Sequence, residues 1–99
     1  MPCRVEISPG ALRDLRKLPP RFQTTLLDRI DSLGDQPLPP GVEKISRSKH
    51  GYRIRLGDYR IIYLFLNDVA FIVEVAHRSE VYKDAIRKLN RAMRTRWKE

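Results

Sequence analysis

Cysteine is nearly missing from this chain of 99 residues: Cys3 stands alone, so no internal disulfide can form and nothing points to an oxidising compartment. Long apolar runs are missing too, and no stretch approaches the roughly 20 residues that span a bilayer. Arg4 and Glu6 interrupt the N-terminus at once, which excludes a signal-peptide pattern. A cytoplasmic protein without membrane association is therefore expected. There are two histidines, no metal-ligand spacing, no phosphate-cradling glycine loop and no Ser/His/Asp set, so neither a metal nor any other cofactor is expected. Internal repeats are absent.

Acidic residues are the other shortage. Asp and Glu number 12 against 20 Lys and Arg, giving a formal charge of +8 and a pI near 10.2. Fourteen of the cations are arginine, whose fork matches phosphate bidentately and stays ionised. A small basic chain of this kind points to nucleic acid or an acidic protein as its partner. Its length suits one domain with its own core.

What is present falls into a clear order. Arg4 to Ile7 alternates as a short first strand. Ser8 and Pro9 then read as N-cap and first helical residue, where proline's missing N–H costs nothing. Leu12, Leu15 and Leu18, with Ala11, form a helical stripe that Pro19-Pro20 ends. Phe22, Leu26, Ile30 and Leu33 recur at three and four residues in a second helix. Gly34 is the predicted C-cap. The basic residues of these helices, among them Arg13, Lys17 and Arg21, read as a solvated face. Residues 36–51 form a loop rich in Pro, Gly and charge, with Val42 and Ile45 in a short edge segment. Its Lys44, Arg47 and Lys49 are candidate RNA contacts, since binding residues concentrate on loops carried by a rigid scaffold.

Gly51 to Tyr82 is the organising stretch. Tyr52–Leu56, Tyr59–Leu66 and Val69–His77 read as three strands, separated by the turns Gly57-Asp58 and Asn67-Asp68. If Leu56 sits opposite Tyr59, Arg55 faces Arg60 and Arg53 lies on the same face. Like charges directly opposite cost a hairpin roughly 0.2–1 kcal/mol. Three arginines there need either good solvation or an anionic partner. Carried on with strict alternation, the second turn places Phe71, Val73, Val75 and His77 on that same face, apolar at one end and Arg- and His-lined at the other. A last helix, capped by Ser79 and starting near Glu80, carries the stripe Tyr82, Ile86, Leu89 and Met93, with Ala85 and Ala92. This stripe is expected to cover the sheet's apolar end. The predicted fold class is α+β: a short N-terminal strand, a helical hairpin, a three-stranded antiparallel meander and a C-terminal helix.

The run YRIRLGDYRIIY, followed by a hydrophobic strand ending in HRSEVY, resembles the RelE branch of the RelE/ParE toxin superfamily of type II toxin–antitoxin pairs. The likeness spans nearly the whole chain. It implies a RelE-like toxin that enters the ribosomal A site and cuts messenger RNA with the RNA's own 2′-hydroxyl as nucleophile, without a metal. It also implies a cognate antitoxin that neutralises it. By position, Arg53 and Arg55 fall on the two basic sites of the second strand, and Arg60 on the arginine of the YR-hydrophobic-hydrophobic-Tyr motif. Arg78 and Tyr82 match the closing motif.

One departure matters. Some members carry lysines where this chain has Arg53 and Arg55, and arginine, with a pKa above about 12, does not serve as a base. His77 is then the candidate base, with an ordinary pKa of about 6.5, and Glu80 is another. His77 capping the strand end, and catalysis that is mostly geometric, are the alternatives. Two other functions compete: a ParE-like toxin that poisons DNA gyrase by protein contact, and a basic RNA- or antitoxin-binding domain whose catalysis has decayed.

Overall fold

A computed structural model describes residues 3–78 and 84–97 of the chain. Its elements are β1 (Arg4–Ile7), α1 (Pro9–Arg16), α2 (Pro20–Ser32), β2 (Glu43–Lys44), β3 (Gly51–Leu56), β4 (Tyr59–Leu66), β5 (Val69–His77) and α3 (Ala85–Trp97). The strands make one sheet in the order β1-β5-β4-β3-β2. β1 joins β5 in parallel, and every other pairing is antiparallel. The fold is α+β, as the pattern predicts.

Two tight turns set the meander. Gly57 has φ 60°, and it takes the first central position of its turn, where only a residue tolerant of positive φ fits. Asn67 and Asp68 both have positive φ, 53° and 60°, the requirement of a type I′ hairpin. With Leu56 opposite Tyr59 and Leu66 opposite Val69, both loops have two residues, as read from the sequence.

Each face of the sheet carries its own core. On one side Ile54, Ile61, Tyr63, Ile72 and Val75 pack against α1 and α2 through Ala11, Leu15, Leu26, Ile30 and Leu33. On the other, Ile62, Leu64, Val73 and Ala76 are covered by Ala85, Leu89 and Ala92 of α3. Leu12 departs from the predicted stripe and is exposed, because Ala11 and Leu15 take the inward positions of the short α1. The helical starts agree with their signals: Ser8 caps α1 by accepting from the Ala11 N–H at 3.1 Å, with Pro9 as its first residue. The predicted Ser79 cap and the beginning of the last helix near Glu80 lie outside the described residues; from Ala85 onward the helix buries its predicted stripe.

Strict alternation fails at one place in β5. Ile62 pairs with Glu74 but Tyr63 with Ile72, so Val73 is an extra residue, a β-bulge. Two side chains of the N-terminal segment hold it. The Ser8 hydroxyl donates to the Val73 carbonyl at 3.2 Å, and the Val75 N–H donates to Asp14 Oδ2 at 3.1 Å. Asp14 thereby serves the edge of β5 where β1 has ended. Phe71 and Val73 stay on the α3 face, but everything beyond them is turned over. Val75 joins the α1/α2 core, and His77, paired with Tyr59, faces the same way. The expectation that His77 shares a face with Arg53, Arg55 and Arg60 is therefore corrected by the bulge.

Candidate nucleic-acid interface

The hairpin of β3 and β4 brings the predicted arginines together on the α3 face. Arg55 pairs directly with Arg60, while Arg53, opposite Ile62, lies two residues back. Their environments differ sharply. Arg55 is exposed. Arg53 is largely covered, with its Nη2 2.6 Å and its Nε 2.8 Å from Glu43 Oε1, its register partner on β2. Arg60 is only 9% exposed; its Nη1 donates to the carbonyls of Gly57 at 3.1 Å and Tyr59 at 3.0 Å. That guanidinium ties down the turn between the strands. The like-charge pair is tolerated because one member is held by backbone oxygens and the other is solvated.

The cationic loop folds beside this hairpin. Lys44 Nζ donates to the Ile45 carbonyl at 3.0 Å and to the Ser48 carbonyl, and sits 5.5 Å from the centre of the Tyr52 ring. Gly51 allows the close approach behind it: a Cβ there would lie 2.6 Å from Ser48 Oγ and 2.9 Å from Leu89 Cδ1. Lys44, Arg47 and Arg53, with Ile86 of α3, line a cleft of about 290 Å³. Lys49 is exposed but does not line it. Ile86 and Glu43 escaped the sequence reading as parts of this site. Glu43 could be found only through the pairing of β2 with β3.

Arg78 marks the far end of the hairpin. It is exposed, its N–H donates to the Asp58 carbonyl at 2.7 Å, and its Nε lies 3.7 Å from Asp58 Oδ1. Tyr82 and Glu80 lie outside the described residues. His77 stands on the other face, edge-on to the Tyr59 ring at 5.8 Å. Among the described residues no group of three or more His, Cys, Asp or Glu could hold a metal ion. None of the described helices is long and apolar enough to cross a membrane.

A basic, arginine-forked hairpin on a mixed sheet flanked by three helices has counterparts among known proteins. The family described as ParE toxin of type II toxin–antitoxin system, parDE, matches residues 5–82. The RelE1 protein of Methanocaldococcus jannaschii is 30% identical over 89 residues, covering 85% of this chain and 99% of that protein. Toxin RelG of Mycobacterium tuberculosis is 32% identical over 87 residues, covering 84% and 99%. Among solved structures, the archaeal RelE–RelB complex of Pyrococcus horikoshii is similar with TM-score 0.69 and 31% identity, covering 82% of this chain and all of the matched one. The chain belongs to the RelE/ParE superfamily of type II toxin–antitoxin toxins, and its named relatives place it with the RelE proteins.

Proposed function

We propose that this toxin is a metal-independent endoribonuclease that cuts messenger RNA in the ribosomal A site, in the cytoplasm, and so inhibits translation. The observation that carries the reading is the exposed Arg55 beside the cleft that gathers Arg47, Lys44 and Arg53. Cleavage by the 2′-hydroxyl passes through a phosphorane whose negative charge must be stabilised, and fixed guanidinium groups do this without reorganising. Arg55 and Arg78 are the exposed guanidinium groups for that phosphate, Arg53 is held in place by Glu43, and Arg60 fixes the turn that aims them. Lys49 and Arg47 steer the strand by charge. Tyr82 of the closing motif is assigned to base stacking or proton transfer. Single-stranded RNA is the natural target, because duplex RNA hides its bases from side chains.

A cognate antitoxin is the protein partner. The related Pyrococcus horikoshii protein was solved in complex with RelB, and a positive toxin surface suits an acidic neutralising chain. A second reading rests on the family description itself, which names a ParE toxin: contact with DNA gyrase in place of RNA cleavage.

Primer extension on messenger RNA incubated with purified protein, with and without ribosomes, separates the two. Cuts that appear only with ribosomes support the nuclease. Growth arrest without cuts under either condition rejects it in favour of a protein target.

A further inference from the structure

Helix α3 is a ridge with basic grooves on both flanks. One is the cleft of Lys44, Arg47 and Arg53 described above, which Ile86 closes. The other, of about 430 Å³, lies between α1 and α3 above the outer edge of β5. Arg13 of α1 and Lys17 at its C-cap form one wall, Lys88 and Arg91 of α3 the opposite wall, and Phe71 and Val73 lie between them. Four cations from two separate segments thus surround one groove.

The acids at hand neutralise it only in part: Glu74 and Asp14 offset Lys88, while Arg13, Lys17 and Arg91 are left over. Asp14 is engaged by the Val75 N–H at 3.1 Å, and Glu74 holds Lys88 Nζ at 2.9 Å. Among the described residues no carboxylate pairs with Arg13, Lys17 or Arg91. Gathering like charges without partners is unfavourable unless an anion completes the site. The crest of α3 is basic as well, with Arg87 82% exposed, so positive surface runs from one groove to the other.

We propose that the α1–α3 groove binds the phosphate backbone of RNA, giving the toxin a second RNA track across α3 from the first. This rests on the RNA reading of the hairpin site. Arginine forks and exposed lysines on facing walls suit a phosphodiester chain that lies along the groove. Of its apolar lining Val73 and Ala92 are buried, so charge rather than apolar burial is what the groove offers a partner.

The test is fluorescence anisotropy at several salt concentrations, with two probes: a short single-stranded RNA that fills one groove, and a long RNA hairpin with a single-stranded flank. Each neutralised phosphate contributes about 0.7–0.9 to the slope of log K against log salt. The variant Arg13→Glu/Lys17→Glu/Arg91→Glu is expected to lower the hairpin slope by about 2–3 and the slope of the short RNA, which the first groove still holds, by less. Arg53→Ala/Arg55→Ala is expected to weaken both probes. The neutral variant Arg13→Gln/Lys17→Gln/Arg91→Gln guards against misfolding and is expected to show the same loss of slope. An unchanged hairpin slope in both groove variants, with Arg53→Ala/Arg55→Ala still weakening RNA, overturns the second track and leaves the first intact. Failure of the wild-type protein to bind either probe overturns the RNA reading itself. Loss of antitoxin affinity in the groove variants with hairpin binding unchanged also overturns the proposal and assigns the groove to an acidic protein.

Discussion

Arg55 and Arg60 are cross-strand partners in the β3–β4 hairpin, yet one guanidinium is in solvent and the other is 9% exposed and bonded to the carbonyls of Gly57 and Tyr59. Identical residue types at one ladder position thereby divide their work. Removing Arg60 leaves turn carbonyls without their charged donor, which costs about 1.5–3 kcal/mol. Arg60→Ala is therefore expected to lower the unfolding free energy by that amount and so to lower the urea midpoint. Arg55→Ala should stay within about 0.5 kcal/mol of wild type while losing RNA affinity. Equal stability of the two variants would remove Arg60 from its role in the turn.

Tyr63 argues in the same way from the other face. It is fully buried, and its hydroxyl donates to the Pro37 carbonyl at 2.7 Å, fastening the long loop before β2 to the sheet. Burial, the largest influence, pushes its phenol well above the ordinary value of 10. A raised folded pKa contributes stability that is present below about pH 10 and lost as pH rises from there through the folded value. Tyr63→Phe is expected to cost about 0.5–1.5 kcal/mol at neutral pH and to flatten the alkaline limb of a stability–pH curve. Urea titrations at neutral and alkaline pH test both parts, and an unchanged alkaline limb would reject the phenol as its cause. RNA cleavage should fall less in this variant than in Tyr82→Ala.

These two cases show where sequence is informative and where it stops. The Arg55–Arg60 pairing was legible because a two-residue turn leaves one register, and Gly57 and Asn67-Asp68 announce such turns locally. The helical stripes were legible because burial follows a period of 3.6 residues. The face of His77 was not, because the bulge at Val73 is held by Ser8 and Asp14, which lie 65 and 61 residues from their partners. Nor could Arg60's burial or the meeting of Arg13 with Arg91 be read, since both depend on how distant elements dock.

Glu6 and Arg96 tie β1 to the end of α3. Arg96 Nε lies 2.6 Å from Glu6 Oε1 and Nη2 2.9 Å from Oε2, while Trp97 stands edge-on to Phe71 at 6.2 Å. The hydrogen bond from Arg96, assisted by its charge, holds the Glu6 carboxyl below its ordinary value, against a smaller opposing effect of burial. A depressed folded pKa contributes stability present above about pH 4.3, the unfolded value, and lost as pH falls through the folded one. Glu6→Gln is expected to lower Tm at neutral pH and to flatten the acid limb of the curve. Trp97 emission should report the loosening of the last helical turn. If wild type and variant keep the same difference in Tm through the acid range, the pair is not what acid disrupts.

The last expectation concerns the proton that would leave the 2′-hydroxyl in the proposed cleavage. His77 is the sole histidine of β5, and imidazole is a side chain suited to act as a base. The bulge nevertheless turns it towards Tyr59 and Phe22, where it borders a cleft of about 430 Å³ with Leu56 and Leu26, across the sheet from Arg55. A base must come within hydrogen-bond reach of the proton it takes, directly or through one water, and the backbone of β4 and β5 stands between. His77→Gln is therefore expected to leave the pH dependence of cleavage unchanged near neutrality. It should cost about 0.5–1.5 kcal/mol of stability through the lost edge-to-face contact. Single-turnover cleavage across pH 6–8, beside a urea titration, measures both. A profile that flattens in the variant would return the imidazole to the proton path and require the RNA to reach around the β3–β4 turn. If the profile stays unchanged, the base falls to the rest of the closing motif, and Glu80→Gln becomes the variant whose profile should change.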